Sequence, residues 1–459
     1  MEKSTFLFLL LLLSTVAFHV GRRRALSVAG GSIQNLHSLP SYYGYYTSLW
    51  CGIPTLVLLF LWLCFEGSVV TELVVASLPD SLKSVEPDRL SLLINDIRNV
   101  AGNAVAGEAD PAIRAAADQY LRYKFFSNVL LSALGVCFAL AGAAFAHRRI
   151  SRSHRARNQV EKTLRVFLIA CSMLAIFTTI GIVLSVLFES IRFFQKVPVT
   201  DFLFGLKWSP QMAIRADQVG SSGAFGAVPL ITGTLLISFI AMVVAVPIGL
   251  LSAIYLSEYA GPRFRAIAKP LLEILAGIPT VVYGFFAALV VAPFVRDMGA
   301  RMGLEVSSES ALAAGFVMGI MIIPFVSSLS DDFINAVPQS LRDGAYALGA
   351  TQAETIRQVI VPAALPGIVG GILLAVSRAI GETMIVVMAA GLTANLTANP
   401  LEAVTTVTTQ IVTLLVGDQE FDSPKTLAAF ALGLVLFLLT LVLNIIALHV
   451  VRKYREQYE

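Results

Sequence analysis

Nine long apolar runs, separated by polar segments, constrain this chain more than any other feature. They extend roughly from Phe6 to Val20, Leu49 to Val70, Phe125 to Phe145, Val166 to Leu187, Pro229 to Ser257, Leu271 to Phe294, Ala311 to Leu329, Ala363 to Gly391 and Leu427 to Val450. A helix needs about 20 apolar residues to cross a bilayer. Lipid offers no partner to a backbone N–H or C=O, so runs of this length are expected to be helices. The expected fold is all-α: a polytopic membrane protein with about nine transmembrane helices. Of the 459 residues, 56% are hydrophobic and 14% charged, against about 25% charged in a soluble domain. That balance excludes a water-soluble enzyme or a disordered regulator, and it makes membrane lipid the first partner.

The net charge of +3 is too small to suggest nucleic acid. Cys51, Cys64, Cys137 and Cys171 all lie in apolar runs, where a thiol acts as a small hydrophobe. Their spacing gives no disulfide framework and no metal site, and no cofactor is expected.

Lys and Arg collect on the cytoplasmic side of a membrane protein. With the Arg22 to Arg24 loop inside, alternation puts 18 basic residues in the cytoplasm and 14 outside, and leaves Arg378 alone within a span. The local contrast carries more weight than the totals. Arg148, Arg149, Arg152, Arg155, Arg157, Lys162 and Arg165 face only Glu161 in one short loop. Between Thr393 and Lys425, four acids face one lysine. The C-terminus is then cytoplasmic and the N-terminus periplasmic. The first run could also be a cleaved signal peptide, but three arginines follow it directly. Removing it would also give the basic loop the wrong parity, so a retained span is the favoured reading.

Three domains are expected: an N-terminal membrane extension (1–160) with three spans and an external loop, a fourth span with an external loop (161–228), and a transmembrane core (229–459). Between Ser77 and Lys124, Leu90, Leu93, Ile94 and Ile97 recur at helical spacing and predict a small amphipathic cap. Pro247, Gly277, Pro279, Pro293 and Pro324 interrupt the core spans, and Gly277 with Pro279 is the preferred hinge. Gly and Pro are common in membrane helices, so any one of them could equally be structural. Glu66 and Glu273 sit near span ends and are expected to face water.

The most specific motif is LRDGAYALGATQAETIRQVIVPAALPG, from Leu341 to Gly367. It predicts a short helix with a glycine turn and a proline-marked return into the membrane, within a coupling loop spanning 336–362. An arbitrary loop of this kind would more often be a connector lying on the bilayer surface. Its spacing, however, resembles the EAA motif of ABC-importer permeases: Glu-Ala-Ala, three residues, Gly, nine residues, then Ile-x-Leu-Pro. Asp343, Gly344 and Ala345 stand at the EAA positions, Gly349 at the glycine, and Val359 to Pro362 at the close. The resemblance implies a coupling helix that docks into a separate ATPase subunit. The chain contains no Gly-Lys pair and therefore no phosphate-cradling P-loop. ATP is expected to be hydrolysed elsewhere, which makes this chain a transport subunit and not an enzyme.

The second constellation is SRAIGETM, in which Arg378 and Glu382 stand four apart. On a helix they would share one face, and a charge near the bilayer centre costs at least about 2.5 kcal/mol. A self-satisfied ion pair gluing helices together is one reading. The other is an anion path, because a planar guanidinium suits phosphate-like oxygens and ionisable groups inside membranes commonly mark pathways.

With GAFGAVPLITGTL (from Gly223), AVPIGLLSAIYLSEYA (from Ala245) and LLEILAGIPTVVYGFFA (from Leu271), residues Val166 to Glu459 resemble the PstC family of phosphate-specific ABC-importer permeases. The resemblance implies a MetI-like core in the bacterial inner membrane and a role in phosphate transport for Arg378 and Glu382. It also implies a PstA-type permease as heterodimer partner, two ATPase subunits and a periplasmic phosphate-binding protein. The first 160 or so residues extend beyond the short family form and receive no role from it. Alternatives are a permease for molybdate or sulfate, a secondary transporter, or a scaffold reporting phosphate status to a kinase. A secondary transporter usually has inverted repeats, and none is visible.

Overall fold

The computed structural model describes residues 3–30, 32–78, 87–102, 111–210, 223–416 and 422–455. Among the described residues, nine helices are long and apolar enough to cross a membrane, and the fold is all-α apart from one pair of two-residue strands. The chain divides into two compact units, 1–177 and 178–459.

The first unit contains α1 (Lys3–Ala29), α2 (Pro40–Ser77), α3 (Pro87–Ala101), α4 (Pro111–Arg149) and the start of α5 (Ala156–Phe194). Inside lipid, apolar burial does not drive helices together, so small residues that allow close approach do much of the work. At Gly142 on α4, an added Cβ would lie 2.0 Å from the Trp50 carbonyl oxygen on α2. The expected cap forms on α3, where Ile97 packs with Val74, Leu78, Ala116 and Ala117. Its flanks at 79–86 and 103–110 lie outside the described residues. Glu66 does not face water as expected. Its side chain is 9% exposed and accepts from Lys3 Nζ at 2.6 Å and Ser127 Oγ at 3.0 Å. Ser127 in turn accepts from Trp62 Nε1 at 3.0 Å, so the acid is satisfied by neighbouring helices. The most apolar part of α5 buries nothing within the chain, and Phe167, Leu168 and Phe177 are exposed as lipid-facing side chains would be.

The second unit continues with α6 (Val199–Phe204) and strands β1 (Trp208–Ser209) and β2 (Ala224–Phe225), paired antiparallel with Trp208 opposite Phe225. Phe193, Phe202, Trp208 and Phe225 form a buried aromatic knot, and Phe193 meets the rings of Phe202 and Phe225 edge-on at 5.2 and 5.5 Å. Then come α7 (Val228–Ile254), running into a π turn at Tyr255–Tyr259, α8 (Pro262–Ala276), α9 (Thr280–Phe286), a second π turn (Ala287–Val291) and α10 (Ala292–Arg301). The remaining elements are α11 (Ala311–Asn335), α12 (Gln339–Ala347), α13 (Gln352–Thr355), a third π turn (Ile356–Ile360), α14 (Val361–Ile380), α15 (Met384–Ala389), α16 (Val407–Leu415) and α17 (Pro424–Arg455).

Helix α11 is the hub of this unit, with Ala313, Ala314, Val317, Met318 and Ile322 fully buried. It lies close against α7: a Cβ on Gly319 would sit 2.8 Å from the Val244 Cβ and 2.9 Å from the Ala241 carbonyl oxygen.

The first four crossing helices extend beyond the expected runs at both ends, and two later spans are displaced along the sequence. The sixth crossing helix runs over Thr280–Arg301, not Leu271 to Phe294. The cause is local: α8 stops at Gly277, and Ile278 precedes a proline, which disfavours helical backbone. Residues 271–276 therefore belong to a separate amphipathic helix. The eighth crossing helix runs over Gln352–Ile380, not Ala363 to Gly391, because the chain leaves the helix at Gly381. Arg378 and Glu382 consequently do not share a helical face.

Candidate functional site

The loop that carries the EAA-like residues is built by two consecutive capping devices. Helix α12 closes in a Schellman motif: the Gly349 N–H donates to the Tyr346 carbonyl at 3.0 Å and the Ala350 N–H to the Ala345 carbonyl at 3.1 Å. This motif needs a left-handed residue, and Gly349 supplies it with φ of +84°. Helix α13 then opens with a capping box, in which Glu354 accepts from the Thr351 N–H at 2.8 Å and Thr351 Oγ1 accepts from the Glu354 N–H. Ala345 faces inward, while Asp343, Gly344, Gly349 and Pro362 are exposed. Asp343 accepts from Gln339 Nε2 at 3.1 Å. Leu348 is 91% exposed, and Leu341 and Tyr346 accompany it at the surface. A bare leucine at a capped helix end is a shape a protein groove could grip.

The residue that anchors this loop escaped the sequence reading. Arg342 is buried, and its guanidinium donates to the Val337 carbonyl at 2.6 Å, the Ile334 carbonyl at 2.8 Å and Glu258 Oε1 at 3.1 Å. The Ile334 carbonyl lies in the last turn of α11 and the Val337 carbonyl just beyond its end, while Glu258 belongs to the π turn that ends α7. Gln352 Nε2 adds a bond to the Glu258 carbonyl at 2.7 Å. Below them, Ala253, Ile334, Val337, Ile356, Ile360 and Ala364 form an apolar floor. The loop is thus fixed to the ends of two spans. Only the position of Arg342 beside Asp343 hinted at this role, since its partner Glu258 is remote in sequence.

The structure separates Arg378 from Glu382. Arg378 lies in the last turn of α14, exposed, with its guanidinium carbon 5.3 Å from the centre of the Phe325 ring. Among the described residues, no acid lies within ion-pairing distance of it. Glu382 stands beyond the helix end, where its carboxylate accepts from the Met384 N–H at 3.2 Å and its carbonyl accepts from Thr408 Oγ1 at 2.8 Å. The ion-pair reading is therefore replaced by a free guanidinium and a backbone-capping carboxylate. Beside Glu382 lies a polar cluster the sequence reading missed. Gln410 accepts from Trp208 Nε1 at 2.9 Å and donates to Thr405 Oγ1 at 3.1 Å and the Leu392 carbonyl at 3.0 Å.

Arg378 opens into a cavity of about 240 Å³ that also touches Lys269, Asp331, Ser327 and Ser328. Asp331 is buried and holds Arg265 at 2.9 and 3.1 Å, Lys269 at 2.8 Å and Asn335 at 2.9 Å. The bond to Asp331 raises the Lys269 pKa, so the ammonium stays charged near neutral pH. These contacts pin α8 to α11. Glu273, on the same face of α8, is exposed and lies outside any span. Gly277 and Pro279 occupy the junction between α8 and α9, which Tyr283 bridges by donating its hydroxyl to the Leu275 carbonyl at 2.8 Å.

Two family models match the chain. One, described as a phosphate ATP-binding cassette transporter, covers residues 7–178. The other, described as a binding-protein-dependent transport system inner membrane component, covers residues 245–456. A Bacillus subtilis protein named "Probable ABC transporter permease protein YqgH" is 32% identical over 294 residues, covering 64% of this chain and 91% of that one. A Methanocaldococcus jannaschii protein named "Probable phosphate transport system permease protein PstC" is 29% identical over 60% of this chain and 90% of its own length. The Haemophilus influenzae phosphate transport system permease protein PstC is 38% identical over 153 residues, 30% of this chain and about half (49%) of the relative.

Proposed function

This chain belongs to the PstC family of ABC-importer permeases, and from that premise we propose that it forms, with a second PstA-type permease, the path of inorganic phosphate across a bacterial inner membrane. The observation that carries the substrate reading is Arg378: a guanidinium without an acidic partner among the described residues, at the edge of a cavity in the permease core. A guanidinium offers planar, charge-assisted donors to tetrahedral oxyanions, and keeping it inside a span without a carboxylate partner is costly unless an anion visits. Glu382, nearby in sequence, caps α15 and limits where the anion can go.

The α12 loop is the contact for an ATPase dimer, with Asp343, Gly344, Ala345, Gly349 and Pro362 setting its shape. Closure of that dimer would pull on α7 and α11 through Arg342, with Gly277 and Pro279 as the flexing point, and so shift the equilibrium between the two access states. A periplasmic phosphate-binding protein would deliver the ion on the opposite side. In this arrangement the α12 loop and the C-terminus are cytoplasmic and the N-terminus periplasmic, an orientation supported by the basic loop around Arg148 to Arg165. The test is uptake of labelled phosphate by the complex reconstituted in vesicles, with molybdate and sulfate as competitors. Phosphate uptake resistant to both supports the reading, and equal competition by either would reassign the substrate.

A further inference from the structure

We infer that the cavity beneath Arg378 is a second station on the anion's path, where Lys269 takes the oxyanion over from Arg378 by releasing Asp331. This rests on the phosphate-path reading above and adds to it a named exchange partner.

The argument begins with the charges around the cavity. Arg378 sits over Phe325, Lys269 bonds Asp331 further along α11, and Ser327 and Ser328, which also line the cavity, lie between Phe325 and Asp331 on that helix. Lys269 and Arg378 line the cavity with the acids Asp331 and Glu273, and Arg265 holds Asp331 from outside the lining, so three cations stand against two acids around it. Asp332, outside the lining and exposed, is 3.9 Å from Lys269. A tetrahedral oxyanion fits the volume, and the two hydroxyls can donate to its oxygens.

The way Asp331 is bonded makes an exchange affordable. One carboxylate oxygen accepts from Arg265 and Asn335, the other from Arg265 and Lys269, so the four acceptor positions are filled. If Lys269 swings away, Arg265 and Asn335 remain, and no buried carboxylate is left unpaired. Stranding such a charge is what makes most buried ion pairs costly to open. Lys269 itself is a compact ammonium on a flexible stem with three donors, of which one is used on Asp331. It can turn toward an anion in the cavity and return when the anion leaves. Arg265, whose guanidinium spans both carboxylate oxygens, stays in place as the fixed half of the clamp.

Two measurements on the assembled importer test this. In the first, amine-directed acylation of Lys269, located by mass spectrometry, is followed with and without millimolar inorganic phosphate. Phosphate should slow labelling of Lys269 several-fold while labelling of Lys425, remote in sequence, is unchanged. In the second, Lys269→Gln should lower phosphate uptake about tenfold while ATPase stimulation by the loaded binding protein stays within about twofold, and Lys269→Arg should keep at least about half of the uptake. Wild-type uptake at Lys269→Gln, or equal loss of uptake and ATPase stimulation in both variants, overturns the exchange role. If neither variant assembles, the labelling arm decides: no protection by phosphate overturns the proposal. Failure of the wild-type complex to take up phosphate at all would instead overturn the transport reading itself.

Discussion

Arg342 joins the α12 loop to the ends of two spans at once: its guanidinium bonds Glu258 at 3.1 Å and the carbonyls of Ile334 and Val337 at 2.8 and 2.6 Å. Both members of the ion pair are nearly enclosed, with side chains 11% and 9% exposed. Breaking a buried pair by removing one partner typically costs about 3–5 kcal/mol, because the other charge is left without compensation. Arg342→Ala should therefore lower the melting temperature of the purified chain and abolish coupling, with uptake lost and basal ATPase activity retained. Glu258→Gln leaves the two carbonyl bonds intact and should cost less on both readouts. Equal effects of the two substitutions would show that the carbonyl bonds contribute nothing.

Gly349 tests backbone conformation separately from space. Nothing lies within 4 Å of where its Cβ would be, yet its φ is +84°. A branched residue there should destabilise the α12 turn by about 1–2 kcal/mol without any clash, whereas asparagine tolerates the left-handed region better. Gly349→Val should reduce co-purification with the ATPase, and Gly349→Asn should largely preserve it. Normal co-purification and uptake by the valine variant would remove this loop from the coupling interface.

Gly319 is the opposite case, limited by space. A methyl group there meets the Val244 Cβ at 2.8 Å and the Ala241 carbonyl oxygen at 2.9 Å, so α7 and α11 must move apart to admit it. Overpacking of this kind typically costs about 1–3 kcal/mol. Gly319→Val should lower the melting temperature in detergent, and pairing it with Val244→Ala should recover part of the loss. Absence of recovery would place the strain at the Ala241 backbone.

How much of this was legible in the sequence depended on whether the relevant forces were local. The nine spans and the turn at Gly349 are written in hydropathy and in the left-handed preference of glycine, both local properties. The boundary at Gly277 and Pro279 was also locally encoded, but counting apolar residues ran across it and joined Leu271 and Leu275 to the next span. Likewise Gly381 ended α14 where a continuous run suggested helix up to Gly391, and that moved Glu382 away from Arg378. The bonds of Arg342 to Glu258 and of Lys269 to Asp331 join residues 84 and 62 positions apart, and no periodicity marks such partners. The seat of Glu66 against Lys3 and Ser127 was hidden for the same reason: its position near a span end says nothing of which helices close around it.

Arg378 and Glu382 can now be tested separately, because each has its own surroundings. The only protein partner of the Arg378 head group among those described is the Phe325 ring, at 5.3 Å, a contact worth roughly 0.5–2 kcal/mol. Arg378→Gln should therefore leave the melting temperature within a few degrees of wild type while cutting phosphate uptake at least about tenfold. Arg378→Lys keeps the charge but loses the planar donors, and intermediate uptake is expected. The Glu382 carboxylate accepts the Met384 N–H at 3.2 Å, and glutamine can make the same bond through its amide oxygen. If Glu382 acts only as a cap, Glu382→Gln will transport like wild type and Glu382→Ala will be less stable. If its negative charge confines the anion to the Arg378 side, Glu382→Gln will remain stable but lose selectivity for phosphate over sulfate. Uptake and melting temperature, measured on all four variants, distinguish these outcomes. Unchanged uptake in Arg378→Gln would remove the anion path from this end of α14.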